Sequence, residues 1–141
     1  MRLLLDANIL LDCLVLEGSG LPRAGKAASD AVLNCCDTGL HHGFVAWHTL
    51  PIIAYYFGKQ HNSQDTGNMM DTLMAVLKVP CVGHAQALGW RSHGLADFED
   101  ALQVASAVAA LADVIITRNL QDFQGTPTPC MTPEAFLAAF P

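Results

Sequence analysis

Residues 97–119 read Asp-Phe-Glu-Asp-Ala-Leu-Gln-Val-Ala-Ser-Ala-Val-Ala-Ala-Leu-Ala-Asp-Val-Ile-Ile-Thr-Arg-Asn and carry the clearest structural signals of the chain. Small residues recur at 101, 105 and 109, a spacing that predicts a helix over 97–112 packed closely against a sheet. Residues 114–117, Val-Ile-Ile-Thr, are β-branched and apolar on both faces, as is typical of a strand in the middle of a parallel sheet. The segment therefore predicts a helix followed by a buried parallel strand.

The same alternation of helix and strand patterns extends along the rest of the chain. The apolar run at 2–5 ends at Asp6, and Asn8 is expected to cap a helix that continues to Leu16. Thr132 and Pro133 are expected to open a last helix. The other predicted helices cover 22–37, 49–57, 64–77 and 84–90, and the other predicted strands cover 43–47, 79–82 and 128–131. This alternation predicts a three-layer α/β/α sandwich with a mainly parallel central sheet.

Length and hydropathy limit the class of protein. The chain has 141 residues and is 52% apolar, which predicts a single domain over 1–141. No run approaches about 18 uninterrupted apolar residues, and Asp6 stands too near the start for a signal-peptide apolar region. We therefore expect a cytoplasmic protein without a membrane partner. Five cysteines without C-x-x-C spacing predict buried free thiols rather than a zinc site or a disulfide framework.

The charge balance argues for a local site. Seven basic and thirteen acidic residues give a net charge of −6, which disfavours nucleic-acid binding through a broad basic surface. Five of the acidic residues fall within one short segment, at Asp97, Glu99, Asp100, Asp113 and Asp122. Part of the net negative charge can therefore belong to one local acidic site, where bound cations would offset the repulsion between the carboxylates.

The acidic residues of interest follow strand ends. Ligands of open parallel sheets bind at the carboxyl ends of the strands, and Asp6 and Asp122 lie there in the predicted topology. Asp97 and Asp100 share one face of the following helix because they are three residues apart. Carboxylates gathered in a wet cleft repel one another unless a cation such as Mg²⁺ or Mn²⁺ neutralises them. Such an ion suits phosphodiester hydrolysis.

A simpler interpretation exists for each of these acidic residues. Asp97 begins a helix with acids in its first turn, which is typical of an N-cap without a metal. Asp6 alone could end a strand, and Asp122 alone could lie in a solvated turn. The metal hypothesis depends on their convergence in the folded chain.

Four motifs together resemble one known family. They are Leu-Leu-Leu-Asp-Ala-Asn-Ile-Leu at 3–10, Asp-Phe-Glu-Asp-Ala-Leu-Gln at 97–103, Thr-Arg-Asn-Leu-Gln-Asp-Phe at 117–123 and Thr-Pro-Glu-Ala-Phe-Leu at 132–137. Their order and spacing resemble the PIN domain family, most closely its prokaryotic single-domain members of VapC-like type. The resemblance implies a metal-dependent ribonuclease of toxin–antitoxin type that forms a homodimer and is restrained by a small antitoxin protein.

The resemblance also implies roles for individual residues. Asp6, Asp100 and Asp122 match the acidic metal-site positions and would be both the metal ligands and the catalytic residues. The supporting residues would be Asp97 as an additional acid, Thr117 as a polar support, Asn119 at a position where relatives can carry Asp, and Arg118. Either Arg118 or Thr117 would orient the RNA phosphate.

One residue departs from the family pattern. Members usually carry a Glu on the helix after the second strand, where this chain has Ile52. A missing oxygen ligand weakens metal binding and could abolish a second metal position, although Mg²⁺ commonly keeps several waters. The alternative is therefore a catalytically impaired PIN domain that binds RNA or a protein. A haloacid-dehalogenase-like phosphatase is disfavoured because Asp6-Ala7-Asn8 lacks the second acid of its D-x-D motif.

Overall fold

The computed structural model describes residues 1–141 and contains four strands and seven α-helices. The strands are β1 (Arg2–Leu5), β2 (His42–Phe44), β3 (Val114–Ile116) and β4 (Cys130–Met131). The helices are α1 (Ala7–Leu14), α2 (Lys26–Asp37), α3 (Thr49–Gly58), α4 (Ser63–Val76), α5 (His84–Leu88), α6 (Phe98–Ala109) and α7 (Pro133–Ala139). Two 3-10 turns occupy Trp90–His93 and Leu120–Phe123.

All four strands are parallel and lie in the order β2-β1-β3-β4. Leu3, Leu4 and Leu5 of β1 pair with Val114, Ile115 and Ile116 of β3. The two central strands are buried on both faces, which explains why their sequences are continuously apolar. The prediction that residues 114–117 supply a central parallel strand is confirmed, with the strand ending at Ile116.

Helices cover both faces of the sheet. Leu3 and Ile116 point into one core together with residues of α1 to α4 and α7, such as Phe136. Leu4 and Ile115 point into a smaller core formed with α6 and the Leu120–Phe123 turn. Successive strand residues alternate between the two cores, so the three-layer α/β/α prediction is confirmed.

Three element predictions are wrong. No strand forms at 79–82, where Pro80 lacks a backbone donor, and only an isolated bridge joins Phe44 to Lys78. The second helix begins at Lys26 rather than at 22, because Pro22 fits a first turn but does not itself start a helix. Asp6 caps α1 in place of Asn8.

No helix has the length and apolar character needed to cross a membrane. All five cysteines are free, as predicted, but only Cys36 is buried and Cys81 is exposed. The exposure of Cys81 follows from the absence of the strand expected around it.

Candidate metal centre

Asp6 lies at the carboxyl end of β1 and caps α1. Its Oδ1 accepts hydrogen bonds from Ala7 N at 2.6 Å and from Gln103 Nε2 at 3.1 Å. Its Oδ2 accepts from Asn8 Nδ2 and from Thr117 Oγ1, both at 2.7 Å. These four donors use the roughly four acceptor sites of the carboxylate. The side chain is nearly buried, and this burial raises the pKa of Asp6.

Three more acids lie at the start of α6. Asp97 is the N-cap, and its Oδ1 accepts from the backbone N–H groups of Glu99 at 2.8 Å and Asp100 at 3.1 Å. The capping interpretation of Asp97 is therefore confirmed. Carboxylate oxygens of Asp97, Glu99 and Asp100 also lie within 4.8 Å of one another. A helix cap thus brings three negative charges to one end of α6.

The pKa of Asp100 reflects its surroundings. It is raised to about 6, and burial is the largest cause. The negative charges of the neighbouring acids contribute the rest, in the order Asp97, Glu99, Asp122 and Asp6. Asp100 and Asp122 both line an open cleft between the start of α6 and the 3-10 turn Leu120–Phe123. Asp100 is therefore within electrostatic reach of carboxylates from two other segments of the chain.

Sequence reasoning missed Gln103, which lies between Asp6 and the α6 acids. The residue is fully buried, and its Nε2 lies 3.1 Å from Asp6 Oδ1, 3.0 Å from Thr49 Oγ1 and 3.4 Å from Glu99 Oε1. Its Oε1 is buried and has no hydrogen-bond partner. Its spacing in the sequence could have indicated it, because Gln103 is four residues after Glu99 and lies on the same face of the helix.

His48 approaches the same acid group from the N-terminus of α3. Its Nε2 lies 3.3 Å from Glu99 Oε1, within ion-pair distance but without hydrogen-bond geometry. The same oxygen, Glu99 Oε1, is therefore approached by both the His48 imidazole and the Gln103 amide.

The three residues that follow β3 lie in different surroundings. Thr117 is buried and donates to Asp6, while Asn119 is exposed and donates its backbone N–H to Thr117 Oγ1 at 3.1 Å. Arg118 is turned away from the acids and forms an ion pair with Asp12 of α1 and another with Glu134 of α7.

Arg118 also binds the start of α2. Its Nη2 donates to Gly25 O at 2.8 Å and to Ser29 Oγ at 3.1 Å. All three guanidinium nitrogens are therefore engaged in packing contacts between helices rather than at the cleft. Asp12 is buried within this network.

The chain belongs to the PIN domain family, because the family model for the PIN domain matches residues 2–121. The resemblance predicted from the motifs is confirmed. No curated protein matches the chain.

Two solved structures are similar in fold. The crystal structure of VapBC2 from Rickettsia felis bound to a DNA fragment from their promoter contains a chain that matches with a TM-score of 0.65. Sequence identity is 13%, and the match covers 94% of this chain and 98% of that chain. The crystal structure of FitAcB from Neisseria gonorrhoeae matches with a TM-score of 0.63 and 15% identity, over 94% of this chain and 98% of that chain.

The donor set at the cleft fits a hard divalent cation. Asp100 and Asp122 line the cleft with carboxylates, whose oxygens are the ligands that such a cation prefers. The acids whose oxygens lie within 4.8 Å of one another are Asp97, Glu99 and Asp100, and this group does not include the predicted ligands Asp6 and Asp122. Burial is the largest cause of the raised pKa of Asp100, and the neighbouring negative charges add to it; a cation would relieve this second effect. The cleft can therefore concentrate a divalent ion and hold it beside a polar, water-accessible surface.

Proposed function

We propose that this chain is a single-domain endoribonuclease of toxin–antitoxin type, folded over 1–141, that hydrolyses RNA phosphodiester bonds with Mg²⁺ or Mn²⁺. One observation carries the proposal: Asp100 on α6 lines an open cleft with Asp122, which follows β3, and the charges of Asp122 and of Asp6 after β1 add to the burial that raises the pKa of Asp100. PIN domains are in general metal-dependent nucleases, which agrees with this chemistry.

The hydrogen bonds divide the roles of the three acids. Asp100 and Asp122 would contact the ion directly, because their carboxylates are free and line the open cleft. Asp6 would supply a third negative charge from its buried position, where Thr117 and Asn8 hold its orientation. When bound, the ion would lower the pKa of a water molecule and stabilise negative charge on the phosphate. Asp97 supports the arrangement by holding the start of α6.

An aromatic and basic cluster beside the acids supports an RNA substrate. The guanidinium of Arg91 lies 4.4 Å from the ring centre of Trp90, which packs edge-on against Phe98 at 5.3 Å. Phe98 is the first residue of α6 and is 49% exposed. Exposed rings and arginine planes bind unpaired bases by stacking without needing a broad basic surface. Asn119, also exposed, is available to contact the same strand.

We further propose two protein partners, a second copy of this chain and a small antitoxin. The resemblance to VapC-like proteins motivates both, and the similar structures of VapBC2 and FitAcB support the comparison. A light-scattering mass near 15.1 kDa, the mass of one chain, would contradict the homodimer.

Cleavage of a structured RNA tests the nuclease proposal. We expect cleavage with Mn²⁺, no cleavage in excess chelator, and a loss of at least about 100-fold in Asp100→Asn. Asp71→Asn is the matched control, because Asp71 is exposed on α4 and should retain full activity. Cleavage that survives chelation, or that survives Asp100→Asn in a folded protein, excludes the proposal.

The alternative function, RNA or protein binding without cleavage, is favoured by Ile52. This half-buried apolar side chain supplies no oxygen where the family pattern has Glu. The same assay separates the two functions. Folded protein that retards the RNA on a gel but leaves it intact over a range of Mn²⁺ concentrations would favour the binding module.

A further inference from the structure

The Gln103 amide occupies a position that is suited to a cation. Its Nε2 is surrounded by Asp6 Oδ1 at 3.1 Å, Thr49 Oγ1 at 3.0 Å and Glu99 Oε1 at 3.4 Å. These three oxygens come from the end of β1, the start of α3 and the start of α6. Two of them belong to carboxylates. We call this set of Asp6, Thr49 and Glu99 oxygens the oxygen cage.

The amide cannot donate a full hydrogen bond to every oxygen of the cage. An amide nitrogen carries two hydrogens, whereas three oxygens surround it, so one contact is shared or weak. The other end of the amide, Oε1, is buried and accepts no hydrogen bond. A buried amide oxygen without a donor is unfavourable, so a strong local requirement must hold the nitrogen in the cage.

The negative charges of Asp6 and Glu99 explain why the amide nitrogen, and not the amide oxygen, lies in the cage. Rotation of the amide end for end would place Oε1 against the buried carboxylate of Asp6 and the half-exposed carboxylate of Glu99. The NH₂ end instead presents its partial positive charge to them. The side chain of Gln103 therefore does part of what a cation would do, because it reduces the repulsion between two acids.

Resting on the proposed function, we propose that the Gln103 amide fills the place that a second metal ion would need, so the protein binds a single divalent ion. Two-metal nucleases hold their ions about 3.5–4 Å apart between shared carboxylates. In this chain the acids differ in what they contact. Asp100 and Asp122 line the open cleft, and Asp6 is bound by the amide. Glu99 contacts the amide through Oε1, and its carboxylate also lies within 4.8 Å of those of Asp97 and Asp100. Gln103 is thus a positioning residue that sets the number of ions.

Replacement of Gln103 by Glu tests this assignment because it exchanges the NH₂ group for an oxygen of nearly equal size. Mn²⁺ would be titrated into the metal-free full-length chain, and bound ions would be counted by calorimetry and by the electron paramagnetic resonance signal of free Mn²⁺. We expect one ion in the wild-type protein and two ions in Gln103→Glu. Gln64→Glu is the matched control: it adds the same charge on the exposed surface of α4, outside the cleft and the oxygen cage, and should still bind one ion.

Each result of the titration has a defined meaning. Two ions in the wild-type protein, one ion in folded Gln103→Glu, or two ions in Gln64→Glu would overturn the inference and leave the nuclease proposal standing. No bound ion in the wild-type protein would instead overturn the proposed function and, with it, the inference.

A second measurement avoids the risk that Gln103→Glu fails to fold. The side-chain NH₂ group of Gln103 gives its own nitrogen–proton signals in the NMR spectrum of the wild-type protein. If the amide remains in the oxygen cage, these protons exchange slowly with water both before and after saturation with Mg²⁺. Loss of that protection when Mg²⁺ binds would show that an ion displaces the amide, and the inference would be wrong.

Discussion

At the scale of single residues, the raised pKa of Asp100 predicts that its ionised carboxylate destabilises the metal-free fold. Its pKa rises from 3.8 to about 6, chiefly through burial and then through the neighbouring acids. A carboxyl group with a raised pKa favours folding only while it is protonated. Its contribution is complete below about pH 4 and is lost as the pH rises through 6.

The Asp100→Asn variant should therefore be more stable than the wild-type protein at pH 7.5 in the absence of metal. We expect a gain of about 1 kcal/mol in the free energy of unfolding, since partial exposure screens the charges of the cleft. The difference should vanish near pH 4, where both side chains are neutral. Urea denaturation at the two pH values, with Asp71→Asn as control, measures it. Equal stability at pH 7.5 would contradict the repulsion that the acid cluster implies.

The individual acids of the candidate site were predictable because each belongs to a local motif. Asp97 and Asp100 start a helix, and Asp6 and Asp122 follow strands. Gln103 was not predictable in this way, because its partners Asp6 and Thr49 are 97 and 54 residues distant in sequence. Only the folded chain shows that its amide lies between acids.

At the scale of secondary-structure elements, Arg118 holds four of them together. It follows β3, pairs with Asp12 of α1 and Glu134 of α7, and donates to Gly25 O at the start of α2. Gly25 permits this approach because a Cβ atom there would overlap the side chains of Arg118 and Asp12. The backbone of Gly25 has a φ of −82°, so any cost of a side chain arises from the overlap alone.

The Gly25→Ala variant should accordingly lose stability. Displacement of Arg118 leaves the buried carboxylate of Asp12 without its partner, which costs about 2–4 kcal/mol. Gly67→Ala is the matched control, since Gly67 lies within α4 with open space around it. That substitution should stabilise the protein by about 0.5–1 kcal/mol through helix propensity. Urea denaturation of both variants measures the contrast, and a neutral Gly25→Ala would argue against the Arg118 network.

Element prediction succeeded where local signals were strong and failed where the fold overrode them. The limits of β1, α4 and α7 follow from an apolar run, a helical spacing and a Thr-Pro cap. Residues 79–82 are apolar enough for a strand, yet they lie beyond the bridge at Lys78 and form no ladder. The burial of Asp12 has no local signal in the sequence, because its partner Arg118 is 106 residues away.

At the scale of the whole molecule, the candidate metal site exists only in the folded chain. Asp6 and Asp122 lie near opposite ends of the sequence, and the parallel sheet order β2-β1-β3-β4 brings β1 and β3 side by side. The α/β class and this topology could be predicted from alternating patterns. Side-chain packing decides which acids line the cleft and which contact the Gln103 amide, and sequence patterns do not specify that packing.

Because the unfolded chain lacks the site, bound metal should stabilise the entire fold. An ion present at 100 times its dissociation constant adds about 2.7 kcal/mol to the free energy of unfolding if one ion binds. For a chain of 141 residues this raises Tm by several degrees. We expect Mn²⁺ to raise the Tm of the wild-type protein and of Asp71→Asn, and to leave Asp100→Asn unchanged, as measured by calorimetry. Equal shifts in all three proteins would place metal binding outside the cleft, because only Asp100→Asn removes one of its open carboxylates.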